Sequence, residues 1–355
     1  MKILLNGYFY KNLGDDLFFH LITDRYPQHT FYVPVHADHA KAYMGKKHVK
    51  ILPQTKWNRG MDNLLGKVSA KLTATGRLAR RTDLGVLIGG SMFQEFGDAQ
   101  ARLARMPRHP KGQYVLGINF GPHKTQAYVD ACRDYLASAA DVCFRDAVSY
   151  RHFAQLPNTR LGSDMVFDTQ SLCPAPAQKQ NTCVISLMDF EAKEDLAPYA
   201  AVYFRFLTDT VRQQQALGRQ VILVSFCQFE GDERAIDRLL SQCPHELKRG
   251  ISTLCYTGGN HVQVCSCIAS AALLIASRFH SMVLGLAYGV PTVPISYSNK
   301  TLQLLQDLGL EDYAITPSML ATCQVKPIAP ADMTSWAEKA QLHFQILDKT
   351  LNERN

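Results

Sequence analysis

Residues 273–300 read LLIASRFHSMVLGLAYGVPTVPISYSNK. The run up to Ala276 is short and wholly apolar, the pattern of a buried strand. Ser277-Arg278-Phe279-His280-Ser281 then opens a helix of small and apolar residues. Gly289-Val290-Pro291 ends it and turns into a second strand, 292–296, which finishes at Ser296-Tyr297. Strand, helix and strand in such close succession point to a parallel sheet. Ligands of these sheets bind beyond the carboxyl ends of the strands, and Arg278 and His280 lie there, two apart at a helix N-terminus. A lone arginine in that position reads as structural. An Arg-x-His with Ser277, Ser281 and Tyr297 around it reads as a site.

The same alternation runs through the whole chain. Strands are expected at 2–6, 30–35, 48–52, 84–88, 113–118 and 140–144, then at 182–187, 220–226, 251–255, 272–276 and 292–296. Helices fit 15–25, 61–79, 125–138 and 146–154, then 197–217, 231–241, 260–269, 279–288 and 299–308. With 355 residues, 46% hydrophobic and 19% charged, the chain suits two globular domains. Pro174 and Pro176 break a polar stretch, CPAPAQKQN, at 173–181. It is the expected linker between an N-terminal domain, 1–172, and a C-terminal domain, 182–328. The tail from about 331 to 352 reads as one long helix, which would return to the first domain. The fold class is therefore α/β, two Rossmann-like domains facing across a cleft, in an arrangement that resembles the GT-B architecture.

Other strand ends carry their own loops. GYFYKNLGDD (7–16) brackets Asn12 with Gly7 and Gly14, in the place of a phosphate loop but without a dinucleotide fingerprint's spacing. Asp15 is expected to cap the helix that follows. DLGVLIGGSMFQE (83–95) sets Gly90 and Ser91 where backbone amides can approach an anion, and reads equally as a plain tight turn after a strand. YVLGINFGPHK (114–124) offers Asn119 and His123, the latter equally readable as a surface residue. In CFRDAVSYRHF (143–153), Arg145 and Asp146 read either as an ion pair with a helix cap or as an arginine gripping phosphate or carboxylate.

Taken together, these loops resemble the polysaccharide pyruvyl transferase family. The matching pieces are GYFYKNLGDD, LIGGSMFQE, GINFGP, FRD, GSDMVFD (162–168) and ASRFHSMVLGLAYGVPTVPISYSNKTLQLLQDLGL (276–310), in the family's order. The resemblance implies transfer of a pyruvyl group from phosphoenolpyruvate to two sugar hydroxyls, forming a ketal on a surface polysaccharide or its lipid-linked precursor. Its Arg-x-His maps onto Arg278 and His280, and its Arg-Asp onto Arg145. Asn119 stands where some relatives carry a histidine, and His123 lies close by. The chemistry suits the residues: two arginines can hold the two anionic ends of phosphoenolpyruvate, and a histidine can move protons near neutral pH. His280 is the expected general acid/base, with Arg278 and Arg145 on the departing phosphate. No cofactor beyond that co-substrate and no metal site is expected.

Charge is uneven. Residues 1–160 hold 23 Lys/Arg and 12 Asp/Glu, whereas 161–355 hold 15 and 19. Eleven basic residues and a single acid, Asp62, fall within 41–81. Over 56–81, Met61, Leu64, Leu65, Val68 and Leu72 recur at helical spacing among Lys67, Lys71, Arg77, Arg80 and Arg81. Two accounts fit: a core-facing helix with a solvated basic face, or a helix lying on an anionic membrane that bears a lipid-linked sugar. The stretch lacks a groove-reading motif, so nucleic acid is not an expected partner. No apolar run reaches the roughly 20 residues of a membrane span, the first strand is too short for a signal peptide, and the ten scattered cysteines suit reduced thiols. A cytoplasmic protein, peripheral at the membrane's inner face in the second account, is expected. The rival functions are a nucleotide-sugar glycosyltransferase on the same scaffold, with Glu311 or Asp312 as the ribose-binding acid, and a non-catalytic glycan-binding member of the family.

Overall fold

The computed structural model describes residues 1–55, 60, 73–106 and 108–353. Most of the candidate basic helix, including Lys67 and Lys71, lies outside the described residues. Its end is seen as the helix Ala74–Arg81, capped by Thr73 through the Gly76 amide.

Strands form where apolar runs end at glycine or a polar turn. The first sheet contains β1 (Lys2–Asn6), β2 (Thr30–His36), β3 (Val49–Gln54), β4 (Leu84–Ile88), β5 (Gln113–Ile118), β6 (Asp141–Phe144) and β7 (Thr159–Leu161). The second contains β8 (Thr182–Ser186), β9 (Gln220–Ser225), β10 (Ile251–Cys255), β11 (Leu273–Ala276) and β12 (Thr292–Pro294). Among the described residues these strands pair with one another in parallel, in the orders β3-β2-β1-β4-β5-β6-β7 and β10-β9-β8-β11-β12. Both are Rossmann-like orders that reverse direction once, between β1 and β4 and between β8 and β11. Central strands β4, β5, β6, β8 and β11 are buried throughout, as strands covered by helices on both faces must be. Around them pack Leu103, Tyr128, Tyr135 and Phe153 in the first unit, and Phe190, Tyr203, Phe204 and Leu239 in the second.

The compact units divide at Met165–Val166, ahead of the 173–181 stretch. Gln170 donates to the Ala287 carbonyl and Tyr288 to that of Cys173, which ties this segment to the second sheet's helix Phe279–Ala287. The first unit gathers Met1–Tyr10, Asp15–Met165 and Trp336–Asn355, while Lys11–Gly14 belongs to the second. The tail is not one helix. It runs Thr334–Gln341, then a 3-10 turn Leu342–Phe344, then Gln345–Glu353. Arg160 takes the Leu342 carbonyl and His343 turns inward, so side-chain partners replace helical bonding at the break. All ten cysteines are free thiols. Among the described residues no helix is long and apolar enough to cross a membrane.

Candidate active site

The second unit's strand ends converge on Arg278. This residue precedes the first turn of Phe279–Ala287, so a cation stands beside the positive end of a helix. Two carboxylates offset that repulsion. Asp232, with a fully buried side chain, accepts from Arg278 Nε at 3.1 Å and pairs closely with Nη2. It also accepts the Phe226 and Cys227 amides, at 2.9 and 3.0 Å. Glu230 pairs closely with Nη1, and its side chain is 27% exposed. Burial pushes the Glu230 carboxyl up, but Arg278, helped by Lys193 and Lys300, leaves the group below its ordinary value. The same carboxylates hold the Arg278 guanidinium well above its usual range despite its burial.

The backbone around Arg278 is equally fixed. The Ser277 and Arg278 amides donate to Ser186 Oγ at the end of β8, at 3.2 and 3.4 Å. Ser277 Oγ accepts from Tyr203, which in turn receives the Met188 amide. Ser281 is fully buried one turn on. Tyr297, after β12, lies under the Lys193 ammonium, 5.2 Å from its ring centre. Burial raises its phenol, opposed by Arg278 and Lys193.

The glycine loop at 11–14 closes this cluster. Asn12 donates to the second Glu230 oxygen at 3.2 Å and accepts the Gly14 amide at 3.3 Å. The Leu13 amide donates to the Phe226 carbonyl. The His280 ring packs directly on the Gly14 backbone, and a Cβ at residue 14 would overlap its Nδ1, Cγ and Cε1. Asn12, Gly14, Ser277, Arg278, His280, Ser281 and Tyr297 thus gather within one unit. Asp15 does not precede the helix as a cap. It falls in the first turn of Leu13–Arg25, and Asn12 holds the amide instead.

The first unit repeats the scheme. Arg145, following β6, donates to Asp164 at 3.0 Å and to Asn119 Oδ1 at 2.7 Å, and all three are buried. Its guanidinium lies over Gly90, where a Cβ would collide with it. The Asn119 amide donates to the Gly90 carbonyl. Asn119 is therefore a support for Arg145. Asp146 caps Ala147–Phe153 through the Ser149 amide, so the cap and the ion pair at this junction fall on different partners. Ser91 is half-buried beside Gly90. His123 is exposed and stacks on Phe120 at 5.0 Å, also meeting His152 edge-on.

Glu230, Asp232 and Asp164 are the partners that the motifs alone did not supply. FEGDER (229–234) looks like an ordinary acidic helix start, and 46 residues separate Asp232 from the arginine that it holds. Asp164 was visible only as part of GSDMVFD.

A family model for polysaccharide pyruvyl transferase matches residues 12–299, which take in the glycine loop, both arginines and His280. The chain belongs to this family. AmsJ, an amylovoran biosynthesis protein of Erwinia amylovora, is 22% identical over 263 residues, spanning 66% of this chain and 61% of AmsJ. Among solved structures, UDP-GlcNAc 2-epimerase of Methanocaldococcus jannaschii, in complex with UDP-GlcNAc and UDP, matches with a TM-score of 0.58 at 8% identity. That match covers 98% of this chain and all of the epimerase. HepE of Anabaena, in complex with UDP-glucose, gives 0.52 at 14% identity over 99% of this chain and 100% of HepE. These likenesses show a shared GT-B-like α/β fold and leave the chemistry to the site.

Proposed function

We propose that this chain transfers a pyruvyl group from phosphoenolpyruvate to a pair of sugar hydroxyls, forming a pyruvate ketal on a polysaccharide or its lipid-linked precursor. The observation that carries the reading is His280. It is held on the glycine loop's backbone, two residues from Arg278, at the switch point of the second sheet and inside the family's span. The family, and a relative named for amylovoran biosynthesis, support a glycan acceptor.

The chemistry asks for proton movement and anion stabilisation. A proton goes to the methylene carbon of phosphoenolpyruvate, C2 gains positive character, and one sugar hydroxyl adds there and gives up its proton. The C2–O bond to phosphate then breaks, inorganic phosphate leaves, and the second hydroxyl adds to C2 with loss of its proton. A histidine serves both directions of proton transfer near neutral pH. In this reading His280 moves the protons and Arg278 steadies the departing phosphate. The basic stretch at 56–81 would bring the protein to an anionic membrane that presents the lipid-linked acceptor.

The test is incubation with phosphoenolpyruvate and a panel of hexoside acceptors, following phosphate release and product mass. UDP-sugars serve as parallel donors. A ketal-bearing product that disappears in His280→Ala, with kcat down by about 10²–10⁴-fold in a folded variant, supports the assignment. Transfer from a UDP-sugar alone, or full turnover in His280→Ala, defeats it.

A further inference from the structure

Beyond the first sheet, the segments that follow β4 and β5 keep running side by side. The Asn119 amide donates to the Gly90 carbonyl, the Gly121 amide to that of Phe93 and the Glu95 amide to that of Pro122, each at 2.8 Å. Phe93 and Phe120 pair in parallel between them. Phe96 and His123 are the next residues along the two segments, so they leave this ladder at the same level. Both are exposed, Phe96 by 58%. Both are also held in place. The Arg102 guanidinium lies 4.2 Å from the Phe96 ring centre and donates to the Phe96 and Gln94 carbonyls. His123 stacks on Phe120 at 5.0 Å and meets His152 edge-on at 5.2 Å. Glu95 accepts the Lys124 and Thr125 amides and the Thr125 hydroxyl, which ties down the loop that carries His123. Burial, then His123 and Arg151, hold the His152 imidazole below its ordinary value, so that ring is neutral near pH 7.

We propose that Phe96, His123 and His152 form a stacking platform for a pyranose ring of the glycan acceptor, one that lies next along the chain from the sugar that reacts. This deepens the pyruvyl transfer reading and rests on it for the acceptor's being a glycan. A pyranose presents an apolar C–H face and a rim of hydroxyls. Flat rings match the face, and Arg102, Lys124 and Glu95 stand around them as donors and acceptors for the rim. Three rings bounded by charged side chains suit one or two sugars, whereas a protein partner needs about 800 Å² per side. The platform stands past the end of the β4–β5 ladder and away from the switch point between β1 and β4, so it suits a neighbouring unit of the glycan. Phe96 and His123 become specificity-determining residues for acceptor length.

Titration of the full-length protein with neutral gluco-, galacto- and manno-oligosaccharides of one to four units tests this, followed through the His123 and His152 ring resonances. At least one series is expected to shift both rings, with affinity rising about tenfold from the monosaccharide to the longest member. Phe96→Ala and His123→Ala should each remove that rise at an unchanged melting temperature, with His152 reporting alone in the second. His123→Phe, which keeps a flat ring over Phe120, should retain it. The inference fails if no series shifts the rings, if the rise with length survives both alanine variants, or if His123→Phe loses it as His123→Ala does. A dimer seen by sedimentation in the parent and lost in Phe96→Ala would overturn it as well, because a second copy would then cover this face. Binding is read without phosphoenolpyruvate or turnover. The pyruvyl transfer reading can therefore fail while the platform stands, and a transferase blind to acceptor length would be the reverse case.

Discussion

At the scale of single residues, the two glycines behind the site have a steric reason to be glycine. Gly14 lies under the His280 ring and Gly90 under the Arg145 guanidinium, and neither leaves space for a methyl group. Gly14→Ala must push the imidazole off its seat, and a misplacement of about 1 Å at a reacting group can reduce turnover by roughly 10²-fold. We expect that loss in kcat for Gly14→Ala, with far-UV circular dichroism unchanged. Gly259→Ala, where an added methyl meets open space, should match the parent in both measurements. Near-parental kcat in Gly14→Ala would show that the seat is not needed. The glycines, Arg278 and His280 were all legible in the sequence, because each sits in a short motif beside a strand end. Their carboxylate partners were not, since Asp232 and Glu230 lie 46 and 48 residues from the arginine that they hold and in no shared motif.

At the scale of elements, strands proved easier to read than helix ends. Each buried strand is an apolar run closed by glycine or a polar turn, whereas β7 is three residues long, with Arg160 at its middle pairing to Asp141. The helix Ala99–Ala104 is six residues of Ala, Gln, Arg and Leu, too brief to show a period. The tail broke where a single histidine found better partners than the helix could offer. His343 receives the Gly117 amide on Nδ1 at 3.1 Å and gives Nε2–H to the Ser163 carbonyl at 2.7 Å, so it is neutral and buried. It thereby braces the backbone just before Asp164, the partner of Arg145. Burial pushes its pKa from 6.5 down to about 4, against the pull of the Ser163 carbonyl and Asp164. Because the folded value is the lower one, the unfolded chain binds the extra proton first. The stability tied to this group is therefore complete above pH 6.5 and is lost progressively as pH falls toward 4, by about 3 kcal/mol in all. Urea midpoints measured from pH 7.5 to 4.5 should fall steeply for the parent. For His343→Gln, which keeps an acceptor and a donor but does not titrate, the fall should be shallower. Parallel curves would mean that His343 does not govern the acid limb.

At the scale of the molecule, two parallel sheets each set a carboxylate-held arginine at the carboxyl ends of their strands, Arg145 in one and Arg278 in the other. The first unit is built from three separated stretches of chain, and the last of these, Trp336–Asn355, is integral to it. Phe344, Leu347 and Leu351 are buried there, and Asp348 accepts from both Arg25 and Tyr26. Thr350 accepts from Tyr114 of β5. Exposing three large apolar side chains removes roughly 5–9 kcal/mol at 1.5–3 kcal/mol each, before any hydrogen bond is counted. Domains of this size hold only about 5–15 kcal/mol in total, so losing the tail should unfold the first unit. The second unit has its own core around Tyr203, Phe204 and Leu239, which the deletion does not touch. A chain truncated after Ser335 should therefore lose amide exchange protection in Leu84–Ile88 and Gln113–Ile118 while Thr182–Ser186 and Leu273–Ala276 stay protected. It should also melt with a smaller enthalpy than the full chain. Protection retained in β4 and β5 would mean that the first sheet holds its fold without the returning tail.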